Sequence, residues 1–328
     1  MSPAIDVHAH VLIPEAMRVV AGHPGFRAQQ EAEARRTGAV STAVNRERMG
    51  PPDLRTTDPD QRLADMDAAG VDIQLVSPLP AYHPWTDAEL ATRAAQLLSD
   101  GVAEHCAKAP DRLYGLSIAP VHHVDVAVEQ LRYAMSVGLK GVEIPSQAGD
   151  RDLSAPSLDP FWAEAERLGA IVFLHPLGCS IEDRLNEWYM YNIVGHPLEH
   201  AIALSHLIFS GVLDRFPSLK ILAAHGGGYL PVHIGRADHG WHVRPDAHSC
   251  DEPPSSYLRR MWFDSLVHSP RALRALIEAA GADRVVLGSD YPFDMGTEDP
   301  VGDLAAAELP AATTDAIRGA NASGLLDL

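Results

Sequence analysis

Apolar residues along the chain gather into short runs separated by longer stretches of helical pattern. Runs of strand length stand at residues 5–10 (IDVHAH), 71–78 (VDIQLVSP), 113–121 (LYGLSIAPV), 139–145 (LKGVEIP), 170–176 (AIVFLHP), 219–225 (LKILAAH), 261–267 (MWFDSLV) and 284–290 (RVVLGSD). Most are continuous in Val, Ile, Leu and Ala rather than alternating, as parallel strands covered on both faces are. Between them the pattern predicts helices over 61–69, 87–108, 124–137, 160–168, 198–216 and 270–280, several of which stop at Gly or Pro (Gly138, Gly169, Pro217, Gly281). Eight strands alternating with helices predict an α/β fold, a (β/α)8 TIM barrel.

Residues 11–57 break the rhythm. They hold no strand pattern, are mostly polar and include Gly50-Pro51-Pro52. They are expected to form a long excursion after strand one, a loop or lid at the face where barrel enzymes place their chemistry. No Ser/Gly linker or shift of composition divides the chain, so one domain over residues 1–328 is expected.

Charge and cysteine content then narrow the partners. With 26 Lys and Arg against 44 Asp and Glu in 328 residues, the net charge of −18 argues against nucleic acid and anionic membranes. No window approaches the roughly 20 apolar residues of a membrane span. The start, MSPAIDVHAH, lacks the basic and apolar parts of a secretory signal. Three scattered cysteines, an odd number without a CxxC pair, suit a reducing compartment, and a cytoplasmic protein is expected.

Among 17 histidines, a few fall at telling places. His8 and His10, two apart on one strand, point to the same face, while His175, His225 and Asp290 end strands five, six and eight. Barrel closure would bring all five to the catalytic face. Three imidazoles and a carboxylate, His8, His10, His175 and Asp290, suit one divalent ion, Zn2+ first and Mn2+ second. An open coordination position would hold water with a pKa near about 7. His225, followed by Gly226, Gly227 and Gly228, is read as the acid/base group beside that water, the glycines permitting close approach of substrate.

The segments Asp6-x-His8-x-His10, His175-Pro176, Ala224-His225-Gly226-Gly227-Gly228 and Gly288-Ser289-Asp290-Tyr291-Pro292-Phe293 resemble the amidohydrolase superfamily. Within it they are similar to amidohydrolase family 2, the branch named after 2-amino-3-carboxymuconate-6-semialdehyde decarboxylase. The similarity runs through essentially the whole chain, including Asp58-Pro59 with Arg62, Met66 to Asp72 and Phe216 to Lys220. The resemblance implies a TIM barrel with one divalent metal, usually zinc, and non-oxidative decarboxylation of a small unsaturated or aromatic carboxylic acid. It implies His8, His10, His175 and Asp290 as ligands, His225 as the catalytic histidine and Asp290 as an aid to proton delivery. It further implies Arg236 as a substrate-carboxylate group reaching a neighbouring subunit's site, hence a homodimer, and Trp188 and Phe293 as site-lining aromatics. A second carboxylate-binding arginine belongs to the excursion, where Arg48 is nearest by position, with Arg46 and Arg55 beside it.

Strand four ends Val142-Glu143-Ile144-Pro145, without the bridging lysine of binuclear relatives, and Lys140 lies near its start, so one metal is expected. Cys179, His122 and His123 are expected outside the chemistry, and His196, His200 and His206 on a surface or interface. Glu143 is a lesser candidate for a polar substrate contact. The competing activity is hydrolysis of a lactone, amide or imine by the same zinc-bound hydroxide.

Overall fold

Each of the eight apolar runs contains a strand in the computed structural model, which describes residues 2–49, 54–181 and 184–328. These are β1 (Ile5–Val11), β2 (Ile73–Pro78), β3 (Leu113–Gly115, resuming as Ser117–Ile118), β4 (Gly141–Ile144), β5 (Ile171–Leu174), β6 (Lys220–Ala223), β7 (Trp262–Asp264) and β8 (Val285–Val286). Each pairs in parallel with the next in chain order. The ring closes where β1 meets the chain after β8: Val7 N donates to Leu287 O at 2.9 Å, Asp290 N to His8 O at 2.8 Å, and Ala9 bridges Tyr291. The chain is a (β/α)8 barrel, as its periodicity predicts.

The interior is filled by Ile5, Val7, Leu75, Leu116, Ile171, Phe173, Leu222 and Val286, and Leu325 and Leu326 of the last helix cap that cluster. Side chains along a strand alternate between faces. Residues 171, 173 and 175 therefore share the inner face of β5, which delivers His175 above Phe173. β1 departs from this rule: Ile5 and Val7 belong to the interior, yet so do His8 and His10, while Val11 packs in the outer layer. The switch of parity falls at a register shift between Asp6 and Ala9 against β2. A bulge of this kind re-aims the side chains beyond it.

The excursion after β1 is helical rather than a loop, with helices Pro14–Ala21, Pro24–Met49 and Leu54–Thr57. The middle one is rich in Ala, Glu, Gln and Arg, residues that favour helix without any apolar periodicity. Gly38, at φ 78° and ψ 160°, breaks it in two. It is moored to the segment after β2: Gln29 donates to Tyr82 O at 2.8 Å and accepts from Trp85 Nε1 at 2.6 Å, and His23 stacks on Trp85.

The helix predicted over 198–216 is two, His196–Phe209 and Val212–Arg215, because Gly211 at φ 69° turns the chain between them. A helix at Leu230–Val243, after the glycine run, has no counterpart in the apolar periodicity. Among the described residues no helix is long and apolar enough to cross a membrane.

Candidate metal centre and the histidine beside it

One atom each from His8, His10, His175 and Asp290 lies within 4.8 Å of the others, the only such buried group of three or more metal-ligating side chains among the described residues. His8 Nε2, His10 Nε2, His175 Nε2 and Asp290 Oδ1 are all buried and make no hydrogen bond. Asp290 Oδ1 stands 3.3 Å from His8 Nε2 and 3.2 Å from His10 Nε2. Buried polar atoms left without partners are costly and rare, and four aimed at one point fit a divalent cation with N and O ligands.

The far side of each ring supports that fit. His8 Nδ1 donates to Asp264 Oδ2 at 2.6 Å, His10 Nδ1 to Pro78 O at 3.1 Å and His175 Nδ1 to Pro176 O at 3.0 Å. A carbonyl or carboxylate can only accept, so each ring keeps its proton on Nδ1 and turns the lone pair of Nε2 inward. Such outer partners fix the tautomer of metal-binding histidines.

The electrostatics ask for positive charge at the same point. Burial works against charge on His8, but Asp290 and Asp264 on its two sides outweigh it and push its pKa up to about 10. Burial lowers the pKa of His10, and burial with the neighbouring His225, His10 and His8 holds His175 well below the usual imidazole range. Burial opposes charge on Asp290 too, yet the facing rings of His8, His10 and His225 outweigh it and keep it well below the usual carboxylate range. Two imidazoles held neutral by burial, beside carboxylates strong enough to draw a proton onto the third, mark a place that favours one positive charge, which a bound cation would supply.

Asp264, at the end of β7, is absent from the sequence motifs. Oδ2 accepts from His8 Nδ1 and, at 2.9 Å, from the backbone N–H of His225; Oδ1 accepts from Gly226 N at 2.8 Å and Leu266 N at 3.2 Å. One carboxylate thus ties the ligand strand to the glycine turn. Its strand-end position in MWFDSLV was the available signal. The turn runs through positive φ from His225 (51°) to Gly228 (64°), and a Cβ on Gly228 would lie 2.1 Å from Pro197 O. That position accepts only glycine.

His225 stands beside the cluster without joining it. Its Nε2 is 3.5 Å from Asp290 Oδ2, and its ring centroid is 5.2 Å from that of His8 and 5.0 Å from that of His175. It is partly open to a cleft of about 330 Å³ whose walls include Ile193, Val232, Leu266 and Met295. His196 and His200, expected on a surface or interface, are buried within the chain beside the cluster. His200 Nε2 is 3.2 Å from His225 Nδ1, and the His196 ring is centred 6.0 Å from that of His225. Their helix is drawn in by the glycine turn, where Tyr229 N donates to Pro197 O. His206 does stay outward, on Ser154 and Asp152.

The remaining expected residues divide. Phe293 lies edge-on to His10, centroids 5.3 Å apart. Trp188 is 79% exposed, in a left-handed turn at φ 54°, and so does not line the cluster within its own chain. Arg236 is exposed on the helix Leu230–Val243. The side chain of Arg48 falls outside the described residues. Arg46 is exposed, and Arg55 lines a separate cavity with Asp65 and Tyr291.

Glu143 is fully buried beside the cluster, Oε1 accepting from Tyr82 OH at 2.6 Å and Oε2 3.9 Å from His10 Nδ1; burial raises its pKa to about 7. Cys179 is buried outside the ligand group. His122 lines a third cavity, of about 320 Å³, under the excursion helix. Lys140 reaches Leu326 O at the closed end of the barrel.

Comparison with known proteins agrees with this architecture. A profile of the amidohydrolase family matches residues 5–328. The chain is 37% identical over 282 residues to 2-amino-3-carboxymuconate-6-semialdehyde decarboxylase of Dictyostelium discoideum, covering 84% of this chain and 78% of that one. It is 30% identical over 252 residues to γ-resorcylate decarboxylase of Rhizobium sp. (strain MTP-10005), covering 72% and 77%. Its fold superposes on the crystal structure of 5-carboxyvanillate decarboxylase from Sphingomonas paucimobilis with a TM-score of 0.85, at 26% identity and over the full length of both chains.

Proposed function

The chain belongs to the amidohydrolase family, and from that membership we propose that it is a metal-dependent, non-oxidative decarboxylase of a small unsaturated or aromatic carboxylic acid, one bearing an ortho hydroxyl or amino group. The observation that carries the reading is the convergence of four unpartnered buried atoms, His8, His10 and His175 Nε2 and Asp290 Oδ1, with His225 Nε2 3.5 Å from the other oxygen of Asp290. The relatives named as 2-amino-3-carboxymuconate-6-semialdehyde, γ-resorcylate and 5-carboxyvanillate decarboxylases share one reaction class, which supports the decarboxylase reading.

His8, His10, His175 and Asp290 would hold one divalent ion, Zn2+ by ligand type with Mn2+ as the alternative. When bound, that ion supplies a fixed positive charge for an anionic oxygen of the substrate. In the reaction the bond between the carboxylate and its carbon breaks, the electron pair stays on the carbon, CO2 leaves and the carbon takes a proton. His225 moves that proton at Nε2, and Asp290 Oδ2 orients the ring to do so. The apolar walls at Ile193, Val232 and Leu266 accept the body of the substrate and exclude water, which strengthens charge stabilisation inside.

Arg236 and Trp188 are both exposed rather than turned onto the cluster of their own chain. Arg236 is assigned to the site of a neighbouring copy, which makes the working unit a homodimer. Three buried cysteines with no disulfide suit a cytoplasmic location.

The test is a screen of ortho-hydroxy and ortho-amino aromatic acids with chain stripped of metal and reloaded with Zn2+ or Mn2+. Metal-dependent CO2 release without added water in the product, abolished in His225→Ala that retains its metal, is expected. A product that gains water and releases no CO2 would assign a hydrolase instead.

A further inference from the structure

His200 is fully buried, and the only hydrogen-bond contact of its side chain is with the catalytic histidine: Nε2 lies 3.2 Å from His225 Nδ1, and its own Nδ1 is buried without a partner. Its helix buries it together with Ala203, Leu204, Leu207 and Ile208, and with the polar His196 and Glu199. Two neutral imidazoles at this distance share one proton between the facing nitrogens, and there are two ways to place it.

If His225 Nδ1 donates, His200 must carry its proton on Nδ1, an N–H buried with nothing to accept it. His225 Nε2 would then turn a lone pair toward the Asp290 Oδ2 lone pairs at 3.5 Å. If His200 Nε2 donates, its Nδ1 keeps only an unpaired acceptor, and His225 bears its proton on Nε2, directed at Asp290. Unpaired buried donors are rarer than under-used acceptors, and a proton between imidazole and carboxylate replaces repulsion by attraction. The second arrangement wins on both counts. Burial, together with His225, His196 and His8, holds the His200 pKa well below the imidazole range, so it stays neutral and offers a single donor.

We infer that His200 is a positioning residue that donates from Nε2 to His225 Nδ1 and so holds the catalytic histidine with its proton on Nε2, facing Asp290 and the cleft. His225 then rests as a loaded proton donor rather than as a free base. The consequence for turnover rests on the decarboxylase reading above, whereas the proton placement does not.

The chain labelled with 15N-histidine and loaded with Zn2+ tests the placement without any substrate. Two-bond nitrogen–proton spectra, with His200→Gln and His225→Ala used to assign the two rings, are expected to show both in the neutral form protonated on Nε2. A His225 ring protonated on Nδ1 overturns the inference. A second arm uses the best aromatic acid from the screen. His200→Leu, which removes the donor, should lose about tenfold or more in kcat with metal content unchanged, on the scale of other outer-shell losses. His200→Gln, whose amide N–H can still donate, should recover most of it. A fully active His200→Leu, or a Gln variant as impaired as Leu, also overturns it. If no acid is turned over while the spectra show Nε2 protonation, the substrate assignment fails and the inference about His200 stands.

Discussion

His8 Nδ1 and Asp264 Oδ2 are 2.6 Å apart, and both groups are completely buried. The same oxygen receives the backbone N–H of His225, so one carboxylate aligns the first candidate ligand in the chain and the turn that bears the catalytic histidine. Asp264→Asn keeps the shape but can place an N–H against a ring nitrogen that must itself donate. The variant should bind Zn2+ about 10- to 100-fold more weakly, measured by competition with a chelator. Unchanged zinc affinity would show that the pair is packing only.

Arg62 has a comparable role deeper in the fold. It is fully buried, donates from Nε to His105 Nε2 at 3.0 Å and from NH1 to Gln74 Oε1 at 2.7 Å, and bonds His10 O through NH2. Gln74 passes the chain on to Asp6 at 2.8 Å, and Asp6 to the Ser289 hydroxyl at 2.6 Å. Arg62→Met would leave a carbonyl, an amide oxygen and an imidazole nitrogen without partners. At about 1–3 kcal/mol for each stranded acceptor, a loss of roughly 3 kcal/mol or more is expected, read from urea unfolding of the metal-loaded protein.

Acid should destabilise the fold through His105. Burial first and the Arg62 guanidinium second press its pKa from 6.5 down to about 4. The unfolded chain therefore takes up a proton that the folded chain refuses. Stability is intact above pH 6.5 and is lost as pH falls from there toward 4, by about 3 kcal/mol in all for this one group. His105→Gln keeps an acceptor for Arg62 and removes the titration, so unfolding free energies at pH 7, 6 and 5 should fall less steeply by up to one proton. An unchanged slope would assign the acid sensitivity to His83 and His122, which burial also lowers to about 4.

The proposal that Arg236 serves a neighbouring copy's site predicts complementation. Arg236→Ala and His225→Ala should each be inactive alone. Unfolded and refolded together in equal amounts, they form mixed dimers in which one site is intact. With random pairing about half the dimers are mixed, so about a quarter of wild-type turnover should return. No recovery, with mixed dimers demonstrated by mass, would place Arg236 outside the neighbour's site.

The barrel was legible because buried parallel strands are written as uninterrupted apolar runs, and the convergence of His8, His10, His175 and Asp290 because all four fall at strand ends. The bulge at Asp6 to Ala9 was not, since pattern reading treats His8 and His10 as ordinary alternation and cannot see that Ile5 and Val7 face the same way. Asp264 was hidden in a run with one acid and weak periodicity, where nothing marks an aspartate as a second layer. His200 was expected on a surface or interface because Glu199, Ser205 and three histidines are scattered along its helix, so no single polar face reveals which histidine is buried. The excursion looked like loop because its helices rest on propensity and on anchors such as Gln29, which long-range contact alone discloses.

The barrel's closing seam has a consequence for biosynthesis. His8 stands on the first strand and Asp290 follows the last, joined directly by Asp290 N to His8 O, while His175 comes midway. A growing chain on the ribosome carries three imidazoles long before it owns the carboxylate, and it cannot seat that carboxylate until the final strand docks. The four candidate ligands thus come together only when the whole barrel has been made, and a molecule that holds an ion with all four would be one whose chain has already closed end to end.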